Sequence, residues 1–156
     1  MYVALAPAVL GYLRAERVPD AEDVLGEVFL HVARDIVRFD GDEAALRRWV
    51  FTIAHNRIVD DARRRTRRPA RLVDSVPEQV GATSAEPFDP ALVAALHQLT
   101  PGQREVVVLR FVADLSIDDV AALTGQTPGA VKAMQHRALE KLAACVSPEV
   151  PAALTE

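Results

Sequence analysis

Cysteine, aromatic residues and long apolar runs are all scarce in this chain, and each scarcity removes a class of protein. A single cysteine, Cys145, leaves no intramolecular disulfide to form and no cysteine-paired zinc site to build. Aromatic residues are 5% of 156, so the core must be assembled mainly from Ala, Leu and Val. No apolar run approaches the ~20 residues that span a bilayer. The start, MYVALAPAVLGYL, is apolar, but it lacks a basic leader and a small-residue cleavage site and runs directly into RAER. It therefore reads as a core helix, and cytoplasm is the expected compartment. His31, His55, His97 and His136 form no ligand cluster or triad, and no phosphate-binding glycine loop occurs. Neither a catalytic residue, nor a metal, nor a cofactor is expected, and the chain does not read as an enzyme.

A basic excess is missing as well. The formal charge is −4, which argues against simple coating of DNA, since that needs cations in surplus to displace counterions from phosphates. The charges are, however, segregated. Glu16, Asp20, Glu22, Asp23, Glu27, Asp35, Asp40, Asp42 and Glu43 crowd one segment; Arg47, Arg48, Arg57, Arg63, Arg64, Arg65, Arg67, Arg68 and Arg71 crowd the next. Two faces of opposite sign imply two partners. Strand signals are few. The β-prone run Val106 to Leu109 sits inside a longer capped helical pattern, so the expected class is all-α.

What is present, most plainly, is a pair of short helices from Leu115 to Leu142. Ser116 with Asp119 three residues on predicts an acidic capping box, and Ile117, Val120, Ala121 and Leu123 follow at helical spacing. Thr124-Gly125-Gln126 supplies the turn, with glycine at the helix exit. Thr127 and Pro128 predict the N-cap and first position of a second helix, whose apolar stripe is Val131, Met134, Ala138, Leu139 and Leu142. Its other side carries Lys132, Ala133, His136 and Arg137, a mildly basic face suited to a DNA major groove. The same geometry also serves as an ordinary corner in proteins that touch no nucleic acid.

Upstream, a helix to about Arg17 is expected on Val3, Leu5, Val9, Leu10 and Leu13. A second runs to about Val37, with Asp20 and Asp23 as its capping box and Val24, Val28, Phe29, Val32, Ala33 and Ile36 buried. After the turn Phe39-Asp40-Gly41-Asp42, a long helix from Glu43 to about Arg65 has the stripe Leu46, Trp49, Val50, Ile53, Ala54 and Ile58. It runs on into RRRTRR, whose guanidinium groups suit bidentate phosphate contact. Residues 71–90 lose periodicity, gather Pro, Gly, Ser and Thr, and read as a flexible linker that lets the two halves move independently. Pro90 and Thr100-Pro101 then open two further helices, with Val106, Val107, Leu109 and Phe111 expected in the core, and residues 146–156 read as a frayed tail.

Taken in order, these segments resemble the bacterial RNA polymerase sigma factors of the extracytoplasmic-function type, in the sigma-70 family, over nearly the whole chain. AEDVLGEVFLHV, from Ala21 to Val32, is similar to the family's region-two helix that docks on polymerase. RRWVFTIAHNRIVDDARRR, from Arg47 to Arg65, is similar to its minus-ten-reading and melting segment. LTPGQREVVVLRFVADLSIDDVAALTGQTPGAVKAMQHRALEKL resembles its region four. The resemblance implies two small helical domains, residues 1–70 as region two and 91–145 as region four, joined by the linker. It implies core polymerase as partner, through the β′ clamp helices and the β flap, together with promoter DNA and an anti-sigma factor. Asp23, Glu27 and Phe29 would bind polymerase. Asn56, Arg57, Asp60, Arg63 and Arg64 would serve the minus-ten element, with Asn56 near a flipped base. Thr127, Lys132, Ala133, His136 and Arg137 would read the minus-thirty-five element, and Trp49 would pack in the core. Gly26, Leu46 and Ala133-Met134 depart from the family's usual Gln, Phe and Ser-Arg. Two other readings are a stand-alone helix-turn-helix regulator and a sigma-like adaptor that binds protein only.

Overall fold

The computed structural model describes residues 2–67 and 89–146. Most of the linker and nearly all of the tail, with Arg68 and Arg71, lie outside the described residues. Seven α-helices are present among them and no strand: α1 Tyr2–Ala15, α2 Ala21–Asp35, α3 Glu43–Arg67, α4 Pro90–His97, α5 Pro101–Val107, α6 Ile117–Thr124 and α7 Pro128–Val146. A 3₁₀ turn, Ile36–Arg38, extends α2, and a π-helical turn, Val108–Val112, extends α5.

Most boundaries have the chemistry the residues predict. Asp42 accepts a hydrogen bond from the Ala45 amide at 2.8 Å and so opens α3. Asp89 accepts from the Ala91 amide, and Thr100 forms a full capping box with Gln103. Gly41 permits a close approach: a Cβ there would lie 2.9 Å from the Phe39 ring, which itself stacks on Trp49 at 5.1 Å between centroids. One cap differs. Asp20 stands at the N-cap of α2 in the left-handed conformation (φ 53°) and its side chain accepts no capping bond. That backbone carries the carboxylate out of reach of the first-turn amides.

The core is one continuous cluster. Leu5, Val9, Tyr12 and Leu13 of α1, Leu25, Val28 and Val32 of α2, and Val50, Phe51, Ile53 and Ala54 of α3 join Leu96, Val106, Leu109, Leu115, Val120, Val131 and Ala138 from the second half. Helix α1 is the shared wall. It packs against α2 and α3 on one side and against α4, α5 and the π-helical turn on the other, while α3 also touches α6. The two halves are therefore packed together, where the linker's composition had suggested independent motion. Burial by both groups also explains why α1 is apolar on more than one face.

Several side chains sit differently from the periodic reading. Phe111, expected in the core, is 56% exposed, because the π-helical turn adds a residue and rotates it outward against the Arg110 guanidinium. Ala33 is exposed and Leu139 is 40% exposed. Phe51 and Tyr12 are fully buried instead, since each faces a neighbour supplied by tertiary packing rather than its own helix stripe.

Candidate nucleic-acid and polymerase interface

The second helix of the pair is built from its cap outward. Ser116 accepts from the Asp119 amide at 3.0 Å to start α6, and α6 ends at Gly125, whose φ of 70° is the left-handed exit. Thr127 then accepts from the Ala130 amide at 3.1 Å and starts α7. Val131 and Ala138 are buried and Met134 half-buried, which fixes the helix's rotation. That rotation leaves Thr127, Lys132, Ala133, His136 and Arg137 all exposed on the outer side. Neither Lys132 nor Arg137 has an ion-pair partner among the described residues; His136 lies 3.3 Å from Glu140 one turn on. On this face the helix thus presents Lys132 and Arg137 to solvent on a capped element, an arrangement compatible with entry into a major groove.

A second surface forms between α2 and α3. A cleft of about 290 Å³ is lined by Asp20, Asp23, Glu27, Arg57, Asp60 and Arg64, among others. Glu27 accepts from Arg57 at 3.2 Å across it. Five residues assigned to separate roles by the resemblance, Asp23 and Glu27 on one side and Arg57, Asp60 and Arg64 on the other, are here one mixed-charge surface. Asn56 and Arg63, next in sequence to Arg57 and Arg64, are exposed on α3. Phe29 is half-buried against the core cluster. Trp49 is likewise half-buried and packs on Phe39, as a packing residue should.

The residues that sequence reasoning missed lie where the halves meet. Arg47 bonds Asp114 at 3.0 Å and Arg48 bonds Asp119 at 3.1 Å, so two arginines of the basic segment are engaged by the protein's own carboxylates. Burial raises the Asp119 pKa, but hydrogen bonds from Arg48 and Ser116 outweigh it and hold the carboxyl below its ordinary value. Deeper in, the Tyr12 hydroxyl donates to Glu105 at 2.8 Å and lies 3.0 Å from His55 Nδ1, which is itself 2.9 Å from Glu105. Desolvation drives the Tyr12 phenol far up, with the Glu105 charge adding to it. Glu105 is raised by burial but lowered more by its bonds from His55 and Tyr12 and by Arg104, with a net downward shift. Partners here are separated by 43 to 93 positions, and no local pattern announces such pairs.

A two-part, all-helical protein with a capped, exposed, cationic second helix in a helix-turn-helix defines a DNA-binding class. Residues 1–68 match the family model for sigma-70 region 2, and residues 90–142 match that for sigma-70 region 4. The RNA polymerase sigma factor CarQ of Myxococcus xanthus is 34% identical over 149 residues, covering 91% of this chain and 84% of that protein. The chain belongs to the sigma-70 family, among the factors of extracytoplasmic-function type. The ECF sigma factor BldN of Streptomyces coelicolor is 33% identical over 142 residues; the match spans 85% of this chain and 53%, about half, of that protein. In fold the chain is similar to the sigma factor RpoE of Bartonella quintana, solved in complex with the anti-sigma factor NepR, with a TM-score of 0.68 at 24% identity over 93% of each chain.

Proposed function

We propose that this chain binds core RNA polymerase and directs transcription from promoters that it reads at two elements. The observation that carries this is the exposed α7 face, in a chain whose two halves match regions 2 and 4. Helix α7 enters the major groove of the minus-thirty-five element, with Thr127, Lys132, Ala133, His136 and Arg137 on the contact face. The α3 surface at Asn56, Arg57, Asp60, Arg63 and Arg64 takes the minus-ten element once its strands part, with Asn56 at an extruded base. Asp23, Glu27 and Phe29 on α2 meet the β′ clamp helices, and the second half meets the β flap. The division into residues 1–70, 71–90 and 91–145 follows these roles.

The chain itself performs no chemistry in this reading; polymerase makes RNA and the chain supplies recognition and strand opening. No described helix is long and apolar enough to cross a membrane, and we place the protein in the cytoplasm with the polymerase it serves. An anti-sigma factor is a further partner expected from the resemblance, and the Bartonella quintana protein of this fold was solved holding one. Run-off transcription with core polymerase on a library of genomic fragments tests the proposal: discrete transcripts that depend on the added chain support it, and none at all rejects it. Retention of duplex DNA on filters with and without core polymerase separates it from the stand-alone regulator, which binds without polymerase, and from the adaptor, which binds in neither case.

A further inference from the structure

Five polar side chains meet at the junction of the two halves: Tyr12 of α1, Glu16 of the turn that follows it, His55 of α3, and Arg104 and Glu105 of α5. Four of them are linked in a nearly closed set. Tyr12 and His55 hold Glu105 at 2.8 and 2.9 Å, and Arg104 lies beside both carboxylates. Glu16 is the odd member. Its side chain is 12% exposed, its Oε1 has no hydrogen-bond partner, and it stands 3.8 Å from an Arg104 Nε that is also buried without one. A buried carboxylate with an unfilled acceptor is costly, whereas a neutral carboxylic acid in the same place is tolerated. We propose that Glu16 is a proton-linked latch: protonated, it lets the two halves close on one another, and ionised, it pushes them apart.

The surroundings set the direction. Burial and then the Glu105 charge raise the Glu16 pKa to about 7, and Arg104 and His55 only partly offset them. Other charged groups near the junction do not reverse this. His97 of α4 is lowered by burial and by Arg17 and Arg104, which makes it a weak counter-charge. Arg14 of α1 is directed to Glu22 of α2 at 3.2 Å, and Arg110 of the π-helical turn bonds Gln135 and the Leu115 carbonyl. If separation returns Glu16 to water, its pKa falls to the ordinary 4.5. A group raised in the closed state favours closure below its ordinary value, and that advantage is lost as pH rises to about 7. Glu105, shifted downward, releases its contribution only in stronger acid.

Closure matters to function because elements named for positions ten and thirty-five lie roughly 25 base pairs, or about 85 Å, apart. A compact chain of this length has a radius of gyration of about 15 Å, so its packed halves cannot reach both. This consequence rests on the proposed promoter reading, but the test does not. Dyes on the exposed Cys145 and on Cys introduced at the exposed Val37, in the full chain, report separation by single-molecule energy transfer without polymerase or DNA. Between about pH 5.5 and about pH 8 the ratio of open to closed molecules should rise on the order of tenfold to a hundredfold, at tenfold per unit of pKa difference. Glu16→Gln should flatten that response, as should Glu16→Ala, a second neutral variant that guards against a packing artefact; far-UV circular dichroism confirms that each is folded. An open fraction independent of pH in the unaltered chain overturns the latch, and so does an equal pH response in both neutral variants.

Discussion

The two long helices α3 and α7 hold several of their cations in different circumstances. On α3, Arg47 meets Asp114 and Glu43, Arg48 meets Asp119, Arg57 meets Glu27, and Arg65 meets Asp61. On α7, Lys132 and Arg137 face solvent with no carboxylate partner among the described residues. A cation already paired must exchange one partner for another before it touches phosphate, and the exchange costs part of what the new contact returns. The α7 face needs no such exchange. The difference teaches that Arg47 and Arg48 are committed to contacts between the halves, and Arg57 and Arg65 to contacts within the first half, whereas Lys132 and Arg137 are committed to neither.

The largest effect that would break this comparison concerns the shared core. Phe51→Ala removes a fully buried ring from α3 and should cost about 3–5 kcal/mol. Because the core is continuous, urea unfolding followed by Trp49 fluorescence and by far-UV circular dichroism should shift together. Two separate transitions would mean that the halves are energetically independent and that the pairing across them is incidental.

Next come two changes on the order of 1–3 kcal/mol. Arg137→Ala should relax discrimination at one base pair of the upstream element by about that amount, whereas Lys132→Ala should weaken all sequences about equally if it meets phosphate. Titration against single-base variants at two salt concentrations separates them, and no effect from either removes α7 as the reader. Tyr12→Phe deletes the hydroxyl that donates to Glu105 and should destabilise by about 1–3 kcal/mol, read as a lower urea midpoint, since a buried carboxylate loses a donor.

Smaller still is the rim pair Arg48–Asp119, about 0.2–1 kcal/mol. Asp119 is shifted down in the folded chain, so its stabilisation is present above its ordinary pKa and fades as pH falls through the lowered value. Arg48→Ala should remove that acid-limb contribution from a stability-versus-pH curve and reduce the sensitivity to salt. Reversing both Asp23 and Glu27 should change stability by no more than ~0.5 kcal/mol, yet weaken association with core polymerase in a pull-down titration. Unchanged affinity would detach the α2 face from polymerase binding.

The order of helices, the turn at Gly125, the caps at Ser116, Thr127 and Thr100, and the outward face of α7 were legible in the residues. All of these are written within one or two helical turns, where spacing and capping chemistry act locally. The all-helical class and the family resemblance have the same origin in short-range pattern. Tertiary structure alone decided the rest. Asp20 lost its predicted capping role to a left-handed backbone, and Phe111 left the core because a π-helical turn rotated it. Arg47 and Arg48 belong to the basic segment in sequence, but they found Asp114 and Asp119 some 67 and 71 positions away. The Tyr12, Glu16, His55, Arg104 and Glu105 cluster exists only because α1 is packed between both halves. Local propensity reaches about one helical turn, and burial and charge pairing across the fold depend on which surfaces finally exclude water from one another.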